Sequence, residues 1–461
     1  LDANEYIWTA SRNSNFLDEF VAGGRLLLGI ICKFIYGSLC TTIADLKWIR
    51  LISLVGCVLF SIQVFSFLLK LKMKTYESAI FSFLILTIPS FSVYYGWSAT
   101  SEIPFLLNIN FLAGLLLIKS FEKKKNRYLY YLASLLLVII SLCIYQAAVM
   151  VFLIPFIFSS VMTKNFPIKK VISLLIFISI SFSIYFIIFK LSLYWYNVEP
   201  SKRTSLNLIE LPLKVIIFYL REMRIPLSGS GFLIGPILFL IIGVFCFSGF
   251  IYSFFQNRNK IPQPFFFISC LILVLPLTYL PNLLSAQKFV CSRTIAPTAI
   301  ATLFYQFFFL RQLSLKSKVL KKMSLGLVLT LIILSSINLN YYKAKIHNKE
   351  YKAIKTAFNK VPIGNTKKII LIKPKHLFLK ENKFYKRESA DEFAEISSTR
   401  DWVPIPLFNQ ISKERIDSLG LEKNDFPTNN NIEVYELGEE YNGDNSIIIN
   451  LIDVLKNEFS K

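Results

Sequence analysis

Histidine is absent from the first 340 residues of this chain; its two copies, His347 and His376, both fall in the last region. A histidine base or histidine metal ligand is thereby excluded from the larger part of the molecule. Acidic residues are nearly as scarce there: Asp2, Glu5, Asp18, Glu19, Asp45, Glu77, Glu102, Glu122, Glu199, Glu210 and Glu222 are all of them. Cysteine supplies no framework. Cys57, Cys143, Cys246 and Cys270 sit in or beside apolar runs, Cys32 and Cys40 in an amphipathic stretch, and Cys291 alone. They read as small apolar residues, with neither disulfide nor zinc spacing.

What the chain has instead is apolar surface: 54% hydrophobic residues, 43 Phe and only 17% charged residues in 461. Such a composition excludes a soluble globular protein. Runs near the length that crosses a bilayer, roughly 20 apolar residues, lie at Trp48 to Leu69, Ile80 to Trp97, Ile103 to Ile118, Tyr128 to Cys143 and Tyr145 to Val161. Five more follow at Val171 to Trp195, Phe232 to Phe255, Phe265 to Leu284, Thr294 to Leu310 and Leu320 to Leu339. The expected fold is an α-helical polytopic membrane protein of about ten spans.

Basic residues give the orientation, because Lys and Arg in short loops stay cytoplasmic. Alternate loops hold them: Lys70, Lys72 and Lys74; Lys119 to Arg127; Lys164, Lys169 and Lys170; Arg258 and Lys260; Arg311 to Lys322. The intervening connections face outward, with residues 1–46, 196–231 and everything after Asn340. Nine of the eleven carboxylates named above then lie on the outer side. The chain opens at Leu1 with Asp2 already outside, so one further helix is expected ahead of it, making about eleven spans.

The formal charge of +22 sits almost wholly in the first 340 residues, since 20 Lys and Arg stand against 18 Asp and Glu after Asn340. It reads as a topological signal with lipid-headgroup contact, and no nucleic acid is expected as a partner. Beyond residue 340 a helix (Lys343 to Asn359), strands at Lys367 to Ile372 and Ile432 to Leu437, an apolar run Ile447 to Ile452 and a Pro-punctuated loop at Val403 to Pro406 describe a small α/β extracytoplasmic domain, 341–461.

Three outer segments can hold a site. In 1–46, Asp2, Glu5, Asp18 and Glu19 precede Gly23-Gly24-Arg25 and an amphipathic run, Leu26 to Ile35, that reads as a helix lying in the interface. Tyr94-Tyr95-Gly96-Trp97 leads to Glu102 at the start of a span. The loop 196–231 carries a second interfacial helix over 207–224, with Leu208, Leu211, Leu213, Ile216, Ile217 and Leu220 toward one side and Lys214, Arg221 and Arg224 elsewhere. Lys288 and Arg293 are cations kept outside against the trend.

The order Asp2, Gly23-Gly24-Arg25 before an interfacial helix, a Pro89 to Trp97 outer turn and Ser141-Leu142-Cys143-Ile144-Tyr145-Gln146-Ala147 at a tight hairpin resembles the GtrII-type glucosyltransferases, of the GT-C class of polytopic glycosyltransferases. The likeness covers most of 1–340 through short motifs. That family carries its acidic residue in the outward-facing first loop, often as an Asp-Asp pair; here Ala3 follows Asp2. The resemblance implies transfer of a hexose, glucose above all, from a polyprenyl-phosphate carrier to a cell-envelope glycan such as O-antigen, at the outer face of a bacterial inner membrane.

Chemistry points to the same residues. Sugar transfer to a hydroxyl needs a carboxylate to take the acceptor proton and cations to hold the departing phosphate. Asp2 is the expected base, with Glu5 as its alternate. Arg25, Lys288 and Arg293 are expected on the donor phosphate, against the plainer reading of headgroup contact. Trp97 and Glu102 are expected at the sugar or acceptor, against an aromatic belt and a helix cap. Gln146 reads as a structural residue between helices. Outer carboxylates suit Mg²⁺ or Mn²⁺, though no spacing demands a metal. A lipid-linked polysaccharide polymerase or ligase uses the same donor chemistry and stays open as an alternative; a flippase or transporter fits less well, because the spans carry almost no ionisable groups.

Overall fold

A computed structural model of the chain describes residues 3–10, 16–40, 42–123, 125–201, 204–207, 209–228, 236–286, 290–338, 344–361, 368–375, 378, 396–400, 403–420, 432–436, 439 and 446–459. Over these residues all ten apolar runs are helical, several with breaks. Three short helices come first: α1 (Ala3–Ala10), α2 (Phe16–Ala22) and α3 (Leu26–Phe34), the last extended by a π-turn, Ile35–Leu39. The bundle continues with α4 (Leu46–Lys70), α5 (Thr75–Ile85), α6 (Pro89–Gly96), α7 (Ile103–Glu122), α8 (Arg127–Leu142), α9 (Gln146–Val149), α10 (Ile154–Thr163) and α11 (Ile168–Tyr196). It ends with α12 (Leu211–Ile217), α13 (Arg224–Ser228), α14 (Pro236–Gln256), α15 (Pro264–Leu277), α16 (Leu280–Leu284), α17 (Ala296–Lys316) and α18 (Lys318–Asn338).

Length and composition support the helical membrane character but not all ten expected spans. Among the described residues five helical stretches are long and apolar enough to cross a membrane: Ile43–Lys70, Ser98–Glu122, Gln146–Thr163, Ile168–Tyr196 and Ile237–Gln256. A sixth is broken, with α5 and α6 meeting at 59°. The cause is local: proline disfavours helical backbone in the residue before it, and Ile88, ahead of Pro89, is extended. Similarly, Tyr279 separates α15 from α16, and α8 stops after 16 residues at the hairpin that leads into α9.

These helices present apolar side chains outward, as a lipid solvent requires. On α4, Leu51, Ile52, Val55 and Ile62 are exposed, and on α11 Ile172, Ile176, Ile187 and Leu191. Between helices, small and polar contacts stand among phenylalanine ring contacts such as Phe60 with Phe111 and Phe158 with Phe304. Asn108 Nδ2 donates to Gly56 O at 2.9 Å, joining α7 to α4. Ser134 Oγ on α8 donates to Ala113 O on α7 at 2.8 Å. At Gly114 a Cβ would lie 2.2 Å from Phe152 O, so only glycine admits the 3₁₀ segment Met150–Leu153 this close to α7.

The second interfacial helix is shorter than expected, Leu211–Ile217 against 207–224. Leu213, Ile216 and Leu220 are exposed, whereas Lys214 is buried and its Nζ donates to Ser285 O at 2.6 Å. A π-turn, Phe218–Glu222, then leads toward α13.

After α18, helix α19 (Lys345–Phe358), strand β1 (Lys368–Lys373), helix α20 (Pro404–Leu419), strands β2 (Ile432–Glu436) and β3 (Ser446–Asn450) and helix α21 (Leu451–Phe459) build a second hydrophobic cluster. The sheet is parallel with order β2-β1-β3, pairing Ile370 with Glu433 and Ile448. Ile354, Phe358, Leu407, Phe408 and Leu455 fill the space beside it. Val403 to Pro406 is not a loop but the start of α20, because proline fits the first helical turn, where no N–H partner is lost. Helix α1 packs on α20, and Ile43 N–H donates to Glu414 Oε1 at 2.6 Å.

Candidate functional site

Two distant motifs meet where α3 begins. Gly23 and Gly24 turn the chain between α2 and α3, Gly24 with φ +68°. Leu27 N–H then donates to Cys143 O at 3.2 Å, docking this turn on the hairpin between α8 and α9. Gln146, the first residue of α9, closes the junction. Its Nε2 donates to Gly24 O at 2.9 Å and to Tyr185 Oη at 2.7 Å, and its Oε1 accepts from Arg25 Nε at 3.2 Å. Tyr185 Oη donates onward to Gly24 O at 3.1 Å. The Arg25 guanidinium lies over the Tyr145 ring, 4.9 Å from its centroid.

This junction borders a cavity of about 360 Å³. Its lining is polar at Arg25, Gln146, Tyr185, Asn282, Ser285 and Arg293 and apolar at Phe182, Phe186 and Phe189 of α11. Phe186 is exposed on the outside of the bundle, so the apolar lining reaches its apolar surface. The cavity's remaining edge is stitched from loop backbone. Ala286 N–H donates to Ser205 O at 2.8 Å, Asn207 N–H to Leu284 O at 3.1 Å, and Ser201 N–H to Ala22 O at 3.0 Å.

Arg293 enters from the other end of the bundle sequence. Its guanidinium sits 4.8 Å from the Trp97 ring centroid, and its backbone carbonyl accepts from Tyr94 Oη at 2.7 Å. Glu102, half-buried one turn beyond Trp97, lies within electrostatic reach of both Arg25 and Arg293. The structure therefore brings Arg25, Trp97, Glu102 and Arg293 into one neighbourhood. Asp2 and Lys288 lie outside the described residues. Glu5 belongs to α1, whose backbone runs beside the Ser98–Thr100 turn, while its side chain lies outside the described residues. The Tyr6 ring packs on Tyr36 at a tilt of 54° with centroids 5.5 Å apart, and Tyr36 Oη donates to Ser98 O at 2.8 Å.

Gln146 bonds a backbone carbonyl between helices, as its place in the sequence implies, and adds Arg25 and Tyr185 to it. Two residues here are unmarked in the sequence reading: Tyr185, inside an apolar run, and Arg50, at the start of α4. Arg50 Nε donates to Ser98 Oγ at 3.2 Å, setting a third guanidinium beside the Trp97–Glu102 turn. A polar residue interrupting an apolar run was the available signal for Tyr185. Among the described residues no group of three or more His, Cys, Asp or Glu is placed to hold a metal ion.

Fold and site together describe a helical protein with helices long and apolar enough to cross a membrane and a cavity lined by both cationic and apolar side chains. No protein-family model, curated protein or solved structure matches the chain.

Proposed function

We propose that the chain is a membrane glycosyltransferase that moves a hexose, glucose in the first instance, from a polyprenyl-phosphate carrier to an envelope glycan. The observation that carries this reading is the cavity that Arg25 and Arg293, far apart in sequence, line together with three phenylalanines. A lipid phosphate has the matching halves: an anion for paired guanidinium donors and an isoprenoid chain for an apolar lining. In this reading the ten apolar runs are spans or broken spans of a bacterial inner membrane. The site opens outward, and the unit after Asn340 stands on that outer side.

The reaction proceeds by attack of an acceptor hydroxyl oxygen on the anomeric carbon. The new carbon–oxygen bond forms as the bond to phosphate breaks, its electron pair leaving on the phosphate oxygen, and the hydroxyl proton passes to a carboxylate. Asp2 is assigned the base role with Glu5 as alternate; Arg25, Lys288 and Arg293 hold the phosphate; Trp97 and Glu102 meet the sugar or acceptor. The test is transfer from radiolabelled polyprenyl-phosphate glucose to a glycolipid acceptor by the protein in lipid nanodiscs, comparing wild type with Asp2→Asn and Arg293→Gln. Loss of the base is expected to lower the rate by about 10² to 10⁴. Absence of transfer from every polyprenyl-phosphate sugar tried overturns the reading.

A further inference from the structure

Arginine binds a phosphate best when two N–H groups point the same way, yet its side chain has four rotatable bonds and costs about 2 kcal/mol of rotamer entropy to fix. A site that relies on Arg25 therefore needs something to hold it. Arg25 Nε is docked on Gln146 Oε1 and the guanidinium face rests on Tyr145. Among the described residues its Nη1 and Nη2 meet no hydrogen-bond acceptor, and the side chain borders the cavity. The guanidinium is thus held by its inner edge with its outer edge presented.

The orientation of the Gln146 amide is itself fixed. Gly24 O can only accept, and the Tyr185 hydroxyl spends its proton on the same carbonyl, so both require a donor from Gln146. Nε2 must face them, which leaves Oε1 facing Arg25. Gly24 allows this close approach: its φ of +68° suits glycine, and a Cβ there would stand 2.3 Å from Tyr185 Oη. The chain of constraint runs from Gly24 through Tyr185 and Gln146 to Arg25.

We infer that Gln146 is a positioning residue that holds Arg25 in the geometry for bidentate binding of a phosphate group, with Tyr185 fixing Gln146. The inference rests on the phosphate-binding reading of the cavity, but not on sugar transfer. A glutamate at 146 is nearly isosteric, yet it sets an oxygen where Nε2 stood, against the Gly24 carbonyl, and places a negative charge beside Arg25, competing with the phosphate.

Calorimetric titration of the nanodisc protein with farnesyl phosphate and with farnesol separates the possibilities, because the two probes share a chain and differ in charge. Gln146→Leu is expected to weaken farnesyl phosphate binding about tenfold, the scale of one charge-assisted hydrogen bond, and to leave farnesol binding unchanged. Gln146→Glu should weaken the phosphate at least as much, and Tyr185→Phe by a smaller factor in the same direction. Phosphate binding by Gln146→Leu equal to wild type overturns the inference. So does equal loss of both probes, which is the signature of a damaged fold, and so does a wild type that fails to prefer the phosphate. A wild type that prefers farnesyl phosphate through Gln146 but transfers no sugar leaves this inference standing and removes the proposed function.

Discussion

At the scale of single residues, the site depends on two things that substitution separates: charge and the direction of donors. Arg25→Lys keeps the charge but loses the paired donors and the hold on Gln146, so kcat/KM for a lipid-phosphate sugar is expected to fall by about tenfold or more. Unchanged kinetics would mean that the site needs only a cation. Gly24→Ala forces alanine into a positive φ and against Tyr185, which is expected to cost roughly 1–3 kcal/mol of stability in a thermal melt. Combining it with Tyr185→Phe should return only the part due to the hydroxyl. Arg25 and Arg293 stand out in the sequence as cations on the outer side against its charge pattern, and Glu102 as a carboxylate that opens a span directly after an aromatic turn. Gln146 does not, since a glutamine at a helix start has many ordinary reasons to be there, and only its partners across 121 residues of sequence give it another.

At the scale of elements, periodicity was easier to read than breaks and facing. A hydropathy run does not register that Ile88 is extended before Pro89, so one expected span became two helices at 59°. Helix α12 shows the same limit: its apolar side was evident, but in a protein surrounded by lipid that side faces out, and Lys214 turns inward to a backbone carbonyl. Helices α5 and α17 are joined by an ion pair, Arg311 Nε to Glu77 Oε2 at 2.7 Å, with side chains only 19% and 5% exposed. Removing one member strands the other. Glu77→Gln is expected to destabilise the protein by about 3–5 kcal/mol, whereas Glu77→Met with Arg311→Leu should cost far less, as apolar replacements of buried pairs often do. Melting temperatures of the two variants in the same nanodiscs check this, and equal losses would show that the pair itself stabilises.

At the scale of the whole molecule, the unit after Asn340 has a titratable core of its own. Burial pushes the Glu350 carboxyl upward, but the hydrogen bond and charge of His347 and the Ser398 N–H outweigh it and hold the group below the usual glutamate range. A depressed carboxyl stabilises the fold fully above its unfolded value, about 4.3, and that contribution is lost as pH falls through the lower folded value. Hydrogen exchange of the β1, β2 and β3 amides should therefore quicken as pH drops below about 4, after correction for intrinsic rates. In Glu350→Gln the carboxyl-dependent part of that change should vanish; an identical pH profile in both proteins would assign the acid sensitivity elsewhere.

The bond from Ile43 N–H to Glu414 and the seating of α1 on α20 also set an order in time. The two partners are separated by 371 residues, which a ribosome working at roughly 5–20 residues per second takes on the order of 20 to 70 seconds to make. Throughout that interval α1 has left the ribosome while its seat does not yet exist. Helix α1 is therefore among the last elements to find its place, so a nascent chain arrested before residue 404 should carry α1 still open to proteases.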